Sequence, residues 1–366
     1  MKIALIRRQF AATGGAELYL QRLIAALVAG GHDVHLFAEK WEGAPHLVTM
    51  HEVPVKASRA RRPVVFAEAA ARLVAAQTFD VVFSLERTLA QDVYRAGDGL
   101  HRVWLDQRRR YAPWWRRPLV GLGGFHRTML GLEARTLDPR RTRHVIVNSE
   151  MVRQEILRHF QFPAERIHLV RNGVDVQRFQ LGDREGTRRR FGLQAGEFVL
   201  LFVGSGWERK GLPFLLRLMQ RYEGRKEPVK LLVVGKGRYR GRLPANVIMA
   251  GPMAAVEDAY AAADLLTFLP IYEPSSNVVT EALASGLPVI TSRFNGASEL
   301  IDPGVSGAVL DEPEDIDALE RTVSTWMQRR PVRITAKGLP LDLESNVRET
   351  LRVLEMAAEE KQRAVA

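Results

Sequence analysis

The chain has 366 residues, of which 46% are hydrophobic and 26% are charged, so it can build two folded domains and is not a disordered chain. It contains no cysteine, which excludes a disulfide scaffold, a thiol nucleophile and a thiolate metal site. The formal net charge of +11 favours a polyanionic partner, and nucleic acid, anionic lipid and a phosphorylated substrate all fit that charge.

The start of the chain passes from a short apolar run at residues 2–6 directly into Arg7 and Arg8. It therefore lacks the apolar region of a secretory signal. No stretch of the sequence reaches the roughly 18 uncharged apolar residues that a membrane span requires. We expect a cytoplasmic protein.

The first half of the chain alternates predicted strands and helices. Lys2–Ile6 predicts a buried strand, Ala16–Ala29 a helix with one apolar side, and Val34–Ala38 the next strand. A strand, a helix and a strand in this order imply a parallel sheet. The further elements predicted in this half are strands Val81–Ser84, Val145–Asn148 and Ile167–Val170, and helix Glu150–Phe160.

The same order of elements begins again in the second half. Strands are predicted at Phe198–Val203, Lys230–Val234, Leu265–Leu269 and Pro288–Thr291, and helices at Leu212–Arg221 and Val278–Ala284. We therefore expect an α/β protein with two Rossmann-like doubly wound domains, residues 1–172 and 173–342, facing each other across a cleft. Residues 343–366 predict a final helix that packs back on the N-terminal domain. Ligands of open α/β sheets bind at the carboxyl ends of the strands, so the active site is expected in the cleft.

The most specific motif contains two glutamates eight positions apart, in Glu273-Pro-Ser-Ser-Asn-Val-Val-Thr-Glu281. It spans a strand-end loop and the start of a predicted helix. A helix N-terminus offers unpaired N–H groups and a positive dipole end to a diphosphate, and carboxylates accept hydrogen bonds from neighbouring sugar hydroxyls. Two ordinary surface glutamates are the alternative. Pro270 precedes the two glutamates, and Gly286-Leu-Pro and Glu299 follow them. This order of residues argues against two ordinary surface glutamates.

A second motif, Val203–Gly211, runs from a strand through glycines into the cationic pair Arg209-Lys210. Fixed cations stabilise the negative charge that grows on a departing diphosphate. The Gly-Lys-Ser/Thr order of a Walker A loop is absent. The alternative is a solvated pair of cations in a basic chain.

Two glycine loops follow predicted strands. Gly14-Gly15 allows the backbone to approach a diphosphate closely and differs from the fingerprint of dinucleotide-binding dehydrogenases. Gly235 opens a similar loop that is expected to border the nucleotide base. A plain tight turn is the alternative for each loop.

In the N-terminal half, Asp98 follows a predicted strand and turn, with His101 three residues later. Either side chain is expected to hydrogen-bond or orient an acceptor hydroxyl. A turn aspartate beside a surface histidine is the alternative.

In this order, the motifs resemble the retaining family 4 glycosyltransferases of the GT-B fold, over nearly the whole chain and most closely from Val203 to Ile301. The resemblance implies a metal-independent hexosyltransferase without a cofactor, in which Arg209 and Lys210 stabilise the leaving diphosphate. It also implies that Glu273 lies at the donor sugar and that Glu281 accepts hydrogen bonds from the ribose. The other donor-binding residues that it implies are Gly14, Gly15, Gly204, Gly235, Ser275, Ser276, Asn277 and Val278.

One departure concerns the residues after the first glutamate. The family usually has an aromatic residue and a glycine there, whereas this chain has Pro274-Ser275-Ser276-Asn277. The departure leaves the donor sugar open. Gly14-Gly15 and Trp41-Glu42-Gly43 resemble the lipopolysaccharide core glucosyltransferase I branch, which implies UDP-glucose as donor and a glycolipid acceptor, a heptose of the inner core on lipid A.

Two other functions remain open at this stage. A GT-B sugar-nucleotide epimerase would share the fold and the diphosphate site but would need no lipid acceptor. A nucleic-acid-binding protein would suit the basic charge, but the sequence contains no recognised nucleic-acid-binding module. We expect no nucleic-acid partner.

The segment His101–Arg117 combines aromatic residues with arginines and contains one acidic residue, Asp106. Arginine attracts anionic headgroups, and tryptophan favours the bilayer interface. We therefore expect peripheral binding to the inner face of the cell membrane, unless the tryptophans pack into the N-terminal core. The predicted membrane-contact residues are Trp104, Arg108, Arg109, Arg110, Trp114, Trp115, Arg116 and Arg117.

Overall fold

The structure, a computed structural model, describes residues 1–10, 15–41, 47–330, 333–335 and 342–365. The chain forms two compact units, one made of Met1–Arg171 with Glu344–Ala366 and the other of Asn172–Leu343. Each unit contains a parallel sheet flanked by helices, which confirms the predicted α/β class.

The first unit is organised around a seven-stranded parallel sheet. Its strands are β1 Lys2–Ile6, β3 Asp33–Ala38, β5 Thr49–Glu52, β6 Val81–Ser84, β7 Val93–Arg95, β8 His144–Val147 and β9 Ile167–Leu169; two short strands, β2 Gln9–Phe10 and β4 Lys40–Trp41, pair separately. The order across the sheet is β5-β3-β1-β6-β7-β8-β9. The helices of this part are α1 Gly15–Ala29, α2 Arg62–Ala75, α3 His101–Arg110, α4 Gly124–Thr136 and α5 Glu150–Phe160.

The second unit has a six-stranded parallel sheet in the order β12-β11-β10-β13-β14-β15. Its strands are β10 Phe198–Val203, β11 Val229–Val234, β12 Val247–Gly251, β13 Leu265–Phe268, β14 Val289–Ser292 and β15 Gly307–Leu310. Its helices are α6 Val176–Gln180, α7 Arg184–Arg190, α8 Leu212–Arg225, α9 Glu257–Ala262, α10 Asn277–Ala284 and α11 Ile316–Gln328. Every residue of β10 is buried, as expected for a central strand covered on both faces.

The last helix, α12, spans Leu343–Val365. Its apolar residues Val353, Leu354 and Ala357 are buried in the core that β1 and α1 build. Near its end, the Lys361 ammonium donates a hydrogen bond of 2.9 Å to Asp92. From Glu344 onward, this helix is therefore part of the first unit.

All the predicted strands are present, with ends that differ by at most one residue from the prediction. The helix predicted at Leu212–Arg221 extends four residues further, to Arg225, where Lys226 ends it in the left-handed conformation. Ser149 caps α5 by accepting a hydrogen bond of 3.3 Å from the Val152 amide.

Candidate functional site

The carboxyl edge of the second sheet collects most of the predicted donor-site residues. Strands β11, β10, β13 and β14 are neighbours and parallel, so their carboxyl ends lie at one edge. Gly235 follows β11, residues 204–211 follow β10, and the loop containing Glu273 follows β13. This edge is where open α/β sheets bind ligands.

Two glycines bring the loops after β10 and β11 into close contact. Gly204 has a φ of 141° and Gly235 a φ of 128°, which side chains other than glycine rarely adopt. A Cβ atom on Gly235 would lie 2.3 Å from the Gly204 carbonyl oxygen, and one on Gly204 would lie 2.8 Å from the Lys210 Nζ atom. Glycine at position 235 therefore allows the two loops to approach each other, and glycine at position 204 leaves space for the Lys210 side chain.

Trp207 packs against both of these loops. Its indole N–H donates a hydrogen bond of 3.0 Å to the Gly204 carbonyl. Its ring lies so close to Gly237 that a Cβ there would be 2.3 Å from a ring carbon. Gly235 thus allows the two loops to approach each other, and Gly237 leaves space for the Trp207 ring.

Arg209 and Glu273 form an ion pair between the two loops. The Arg209 Nη1 atom donates 2.8 Å to the Glu273 carboxylate and 3.1 Å to the Tyr272 carbonyl. The Ile271 amide donates 3.0 Å to the Arg209 carbonyl, so backbone and side chain both fasten the loops together. Glu273 itself is held by backbone bonds from its amide to Phe294 and from Gly296 to its carbonyl.

Lys210 lies beside this pair. Burial lowers the pKa of its ammonium, while the Glu273 and Glu281 carboxylates act in the opposite direction. Its Nζ atom lies 5.6 Å from the centre of the Phe268 ring. No hydrogen-bond partner among the described residues occupies this ammonium, so it can meet an anion at the sheet edge.

The loop before α10 is positioned by two asparagines. Asn295 is fully buried, and its Oδ1 atom accepts hydrogen bonds from the Ser276 amide at 3.3 Å and the Ala297 amide at 3.1 Å. The Asn172 side chain donates a hydrogen bond of 2.8 Å to Asn277 Oδ1. These contacts fix the backbone on which the first turn of α10 begins.

Ser276 occupies the N-cap position of α10, but its side chain makes no capping hydrogen bond. Ser275 precedes it, and Asn277 and Val278 are the first two residues of the helix. The first turn therefore presents backbone N–H groups and the positive end of the helix dipole. This is the arrangement at which phosphate groups bind.

Glu281, one turn further along α10, accepts a hydrogen bond of 2.6 Å from the Tyr260 hydroxyl. Burial raises the pKa of Glu281 from its ordinary value of 4.5 to about 7, against the lowering effect of Tyr260, Arg178 and Lys210. A carboxyl group in this state binds a proton near neutral pH. The sequence pattern did not reveal Tyr260, because a tyrosine in a six-residue helix resembles an ordinary core residue.

In the first unit, Asp98 lies in the turn between β7 and α3, at the carboxyl edge of that sheet, and its side chain is exposed. Two side chains hold the turn. Asn148 donates a hydrogen bond of 3.1 Å to the Gly97 carbonyl, and Arg87 donates one of 2.6 Å to the Gly99 carbonyl. The Asp98 carboxylate is therefore presented to solvent on a fixed turn.

His101 is buried and begins α3. Its Nε2 atom lies 3.0 Å from His126 Nδ1, and its backbone amide donates to the buried Glu133 carboxylate. Burial, with Arg87 and His126, lowers the pKa of His101 to about 4, so its ring is neutral at pH 7. These contacts favour Asp98 over His101 as the group that meets an acceptor.

Glu86 is a candidate that the sequence reasoning missed. It lies two residues after β6 at the same carboxyl edge and pairs with Arg7 at 3.5 Å. Burial raises the pKa of Glu86, and the negative charge of Asp98 raises it further. The available signal was a carboxylate directly after a buried strand, which is a weak one in a single sequence.

Family models of glycosyltransferases match both halves of the chain. The one described as Glycosyltransferase Family 4 matches residues 13–178, and the one described as Glycosyl transferases group 1 matches residues 197–329. The chain belongs to family 4 of the GT-B glycosyltransferases.

The glycosyltransferase is 24% identical to Lipopolysaccharide glucosyltransferase WaaG of Escherichia coli K12 over 337 residues, 88% of each chain. The crystal structure of WaaG matches with a TM-score of 0.78 at 23% identity, over 98% of each chain. Anabaena Alr3699/HepE, in complex with UDP and glucose, matches with a TM-score of 0.72 at 18% identity, over 97% of this chain and 99% of the other. These structural matches confirm the GT-B fold.

The arginine-rich segment of the glycosyltransferase forms α3, a turn, and a short 3-10 helix at Arg117–Leu119. Trp114 is 79% exposed and Trp115 53% exposed, so neither packs into the core, whereas Trp104 is half-buried. The exposed surface continues through apolar side chains into α4. The exposed large apolar residues of this surface are Trp114, Trp115, Leu119, Leu122 and Phe125.

Not all the arginines of this segment are equivalent. Arg109 pairs with Asp106 at 2.9 Å and donates to the Val120 carbonyl at 3.3 Å. Arg117 donates to the carbonyls of Ala112 and Arg110, at 3.1 and 3.4 Å. Arg109 and Arg117 therefore stabilise the segment in addition to contributing charge.

Some predicted features of the glycosyltransferase fall at or beyond the described ranges. Gly15 begins α1, whereas Gly14 lies outside the described residues, as do Glu42 and Gly43. Within the described part of the chain, no three His, Asp or Glu side chains are grouped so that they could hold a metal ion. In the same ranges, no helix is both long and apolar enough to cross a membrane.

Proposed function

We propose that this glycosyltransferase moves a hexose from a nucleoside diphosphate sugar to a membrane-associated glycolipid, with retention of anomeric configuration and without a metal ion. The observation that carries the proposal is the arrangement at one sheet edge of the Arg209–Glu273 pair, the Lys210 ammonium and the uncapped N-terminus of α10. Cations and helix N–H groups together suit a diphosphate, and the carboxylate suits sugar hydroxyls.

Each group has a role in donor binding. The α10 amides and the Gly204 backbone contact the diphosphate, the loop that Gly235 opens borders the nucleotide base, and Glu281 accepts hydrogen bonds from the ribose hydroxyls. Glu273 accepts hydrogen bonds from the donor sugar, oriented by Arg209 at 2.8 Å. Gly14 and Gly15 remain proposed donor-binding residues, a role that the resemblance to the family implies.

The reaction is a front-face substitution. The bond from the anomeric carbon to the diphosphate oxygen breaks while the acceptor hydroxyl oxygen bonds to the same face of that carbon. The proton of the hydroxyl passes to the departing phosphate oxygen. Arg209 and Lys210 stabilise the charge that grows on the diphosphate, so the protein contributes positioning and electrostatics instead of a covalent nucleophile.

The expected donor is UDP-glucose and the expected acceptor is a heptose of lipopolysaccharide core. The similarity to WaaG, described as a lipopolysaccharide glucosyltransferase, supports this choice, as does a structural relative that binds UDP and glucose. The first unit holds the acceptor, with Asp98 orienting the hydroxyl that attacks. The exposure of Asp98 on a fixed turn supports that role.

A membrane-bound acceptor requires the enzyme at the inner face of the cell membrane. The exposed Trp114 and Trp115 lie among arginines, with the Arg116 guanidinium 4.4 Å from the Trp115 ring. Such a surface suits a bilayer interface with anionic headgroups, on which a protein can lie without crossing. Cytoplasmic location with peripheral membrane binding follows from this proposal.

A sugar-nucleotide epimerase of the same fold is the second candidate, because it would use the same diphosphate site. The exposed aromatic and basic surface of the first unit favours a transferase, since an epimerase has no lipid acceptor to meet. An epimerase would release a free isomerised sugar from the donor without any acceptor.

A screen of nucleotide sugars tests the proposal. Each donor is incubated with the enzyme alone and with membranes that carry truncated lipopolysaccharide core, and release of the nucleoside diphosphate is measured with and without EDTA. We expect UDP-glucose to be consumed fastest, with sugar incorporated into glycolipid and no effect of EDTA. Loss of activity with EDTA that a divalent metal restores would contradict the metal-free mechanism, and a free isomerised sugar would indicate the epimerase.

A further inference from the structure

Tyr260 is a fully buried residue that contacts the proposed ribose-binding residue Glu281. It lies on α9, with no exposed surface, and its hydroxyl donates a hydrogen bond of 2.6 Å to the Glu281 Oε2 atom on α10. Burial, together with Glu281, raises the pKa of Tyr260 well above its ordinary value, so the hydroxyl stays protonated and remains a donor.

The position of Tyr260 is fixed by its packing against α6. The Phe179 ring meets the Tyr260 ring edge-on, with ring centres 5.5 Å apart and an angle of 78° between the planes. Arg178 fastens the same two helices by donating to Glu257 at 2.8 and 3.2 Å. The approach is close, because a Cβ on Gly182 would lie 2.3 Å from the Glu257 carbonyl oxygen.

We propose that Tyr260 is a positioning residue for donor binding: its hydroxyl holds one oxygen of the Glu281 carboxylate, which leaves the other oxygen directed to the ribose hydroxyls. This inference rests on the proposed function, in which Glu281 contacts the ribose. A carboxylate fixed in one rotamer binds a diol with less loss of side-chain freedom than one that must be ordered on binding.

The charges around Glu281 determine how the effect depends on pH. Burial and the Glu257 carboxylate favour the protonated acid, whereas Tyr260, Arg178 and Lys210 favour the carboxylate. The Tyr260 hydroxyl stabilises the charged form, so its removal raises the pKa of Glu281 above about 7. At neutral pH, a smaller fraction of the enzyme then carries the carboxylate that accepts both ribose hydroxyls.

The test compares Tyr260→Phe with Tyr222→Phe, which removes the hydroxyl of another fully buried tyrosine, on α8 of the same unit. The probe is whichever of UDP, ADP and GDP the wild-type enzyme binds most tightly, together with its 2′,3′-dideoxy form, and calorimetry gives the dissociation constants from about pH 6 to pH 9. We expect Tyr260→Phe to weaken binding of the ribose form about tenfold at neutral pH and to move the midpoint of the pH profile upward. Binding of the dideoxy form, and all binding by Tyr222→Phe, should match wild type.

A second variant, Phe179→Leu, tests the inference independently in case Tyr260→Phe does not fold. Phe179→Leu keeps both the tyrosine hydroxyl and the carboxylate but loosens the ring contact, and a smaller loss confined to the ribose form is expected. Equal losses for the ribose and dideoxy forms in both variants, or an unchanged pH midpoint in Tyr260→Phe, would overturn the inference.

Glu281→Gln separates this inference from the function on which it rests. If Glu281→Gln discriminates between the ribose and dideoxy forms as wild type does, the ribose role of Glu281 is wrong and the positioning role fails with it. If Glu281→Gln loses that discrimination while Tyr260→Phe retains it at every pH, only the positioning role is wrong.

Discussion

The Arg209 guanidinium and the Glu273 carboxylate are joined by a hydrogen bond of 2.8 Å across 64 positions of sequence. The pair orients an acceptor of hydrogen bonds and a cation within one site. We predict that Glu273→Gln lowers kcat about 100-fold with a smaller change in the donor KM, because the hydrogen bonds from the donor sugar to the Glu273 carboxylate strengthen in the transition state.

Steady-state kinetics with the donor selected by the screen check this prediction. Glu197→Gln is the matched control, since Glu197 pairs with Lys230 at 3.5 Å in the same unit and immediately precedes β10, at the amino edge of the sheet, away from the carboxyl-edge loops. The control should keep wild-type kinetics. A wild-type kcat in Glu273→Gln would remove Glu273 from the site.

Gly204→Ala should reduce activity through Lys210. The added Cβ would lie 2.8 Å from the Lys210 Nζ atom, at a φ of 141° that alanine disfavours. Gly206→Ala is the control in the same loop, because it has a φ of 70° with no atom within 4 Å of the added Cβ. We expect both to lose about 1–2 kcal/mol of unfolding free energy, and only Gly204→Ala to lose most of its turnover. Equal turnover in the two variants would show that space for Lys210 is not needed.

Glu281→Gln should stabilise the folded enzyme at neutral and higher pH. The pKa of Glu281 is raised from 4.5 to about 7, so between these values the folded state holds a proton that the unfolded state has lost. Stability from this group is therefore fully present below about pH 4.5, is lost as the pH rises to about 7 and is constant above it, a change of about 3 kcal/mol. The amide of Gln keeps an oxygen for Tyr260 and has no such proton.

Chemical denaturation at a series of pH values measures the difference. Glu281→Gln should exceed wild type by up to about 3 kcal/mol at pH 8 and by little at pH 4.5, while binding the donor more weakly. The exposed Glu314→Gln is the control and should show no such trend. A difference between Glu281→Gln and wild type that does not change with pH would contradict the raised pKa.

The sequence predicted the strands well because buried parallel strands form mostly apolar runs, and those of β10 and β11 are each followed directly by a glycine. It missed short or half-buried elements such as β12, in which every residue is only partly buried. The site residues Arg209, Lys210 and Glu273 were predicted because they lie in the motifs 203–211 and 273–281, which resemble those of a known family in residue type and in order.

The contacts among those residues could not be predicted in the same way. Nothing in the local pattern indicates that Arg209 pairs with Glu273, that Tyr260 holds Glu281 or that Asn295 supports the Ser276 amide. Each depends on the order of strands in the sheet, which brings together segments distant in sequence. The exposure of Trp114 also had to be observed, since arginine-rich sequence alone fits both a packed and an exposed tryptophan.

The membrane surface is tested by removing charge while the ion pair between Arg109 and Asp106 is kept. We predict that replacing three arginines by serine weakens binding to anionic vesicles, measured by sedimentation, about 100-fold or more, at about 1 kcal/mol for each arginine. Neither the wild type nor the variant should bind zwitterionic vesicles. Arg109 is left in place because it pairs with Asp106. The variant carries the substitutions Arg108→Ser, Arg110→Ser and Arg116→Ser.

The matched control removes three exposed arginines from the second unit, in the substitutions Arg189→Ser, Arg190→Ser and Arg217→Ser. It has the same net charge as the test variant and should bind anionic vesicles nearly as wild type does. Added salt should weaken all binding, since the attraction is screened. Equal sedimentation of the two variants would show that net charge, and not this segment, attracts the membrane.

The most direct test of the proposed chemistry is the rate at which nucleoside diphosphate is released in Lys210→Ala under single-turnover conditions. Lys230→Ala is the control, because Lys230 is a partly exposed lysine of the same unit that pairs with Glu197 at 3.5 Å. If the Lys210 ammonium stabilises the departing diphosphate, release should slow by about 100-fold or more, equivalent to about 3 kcal/mol, and the control should keep the wild-type rate. A loss of less than about tenfold in Lys210→Ala would contradict this role and show that the charge is stabilised elsewhere.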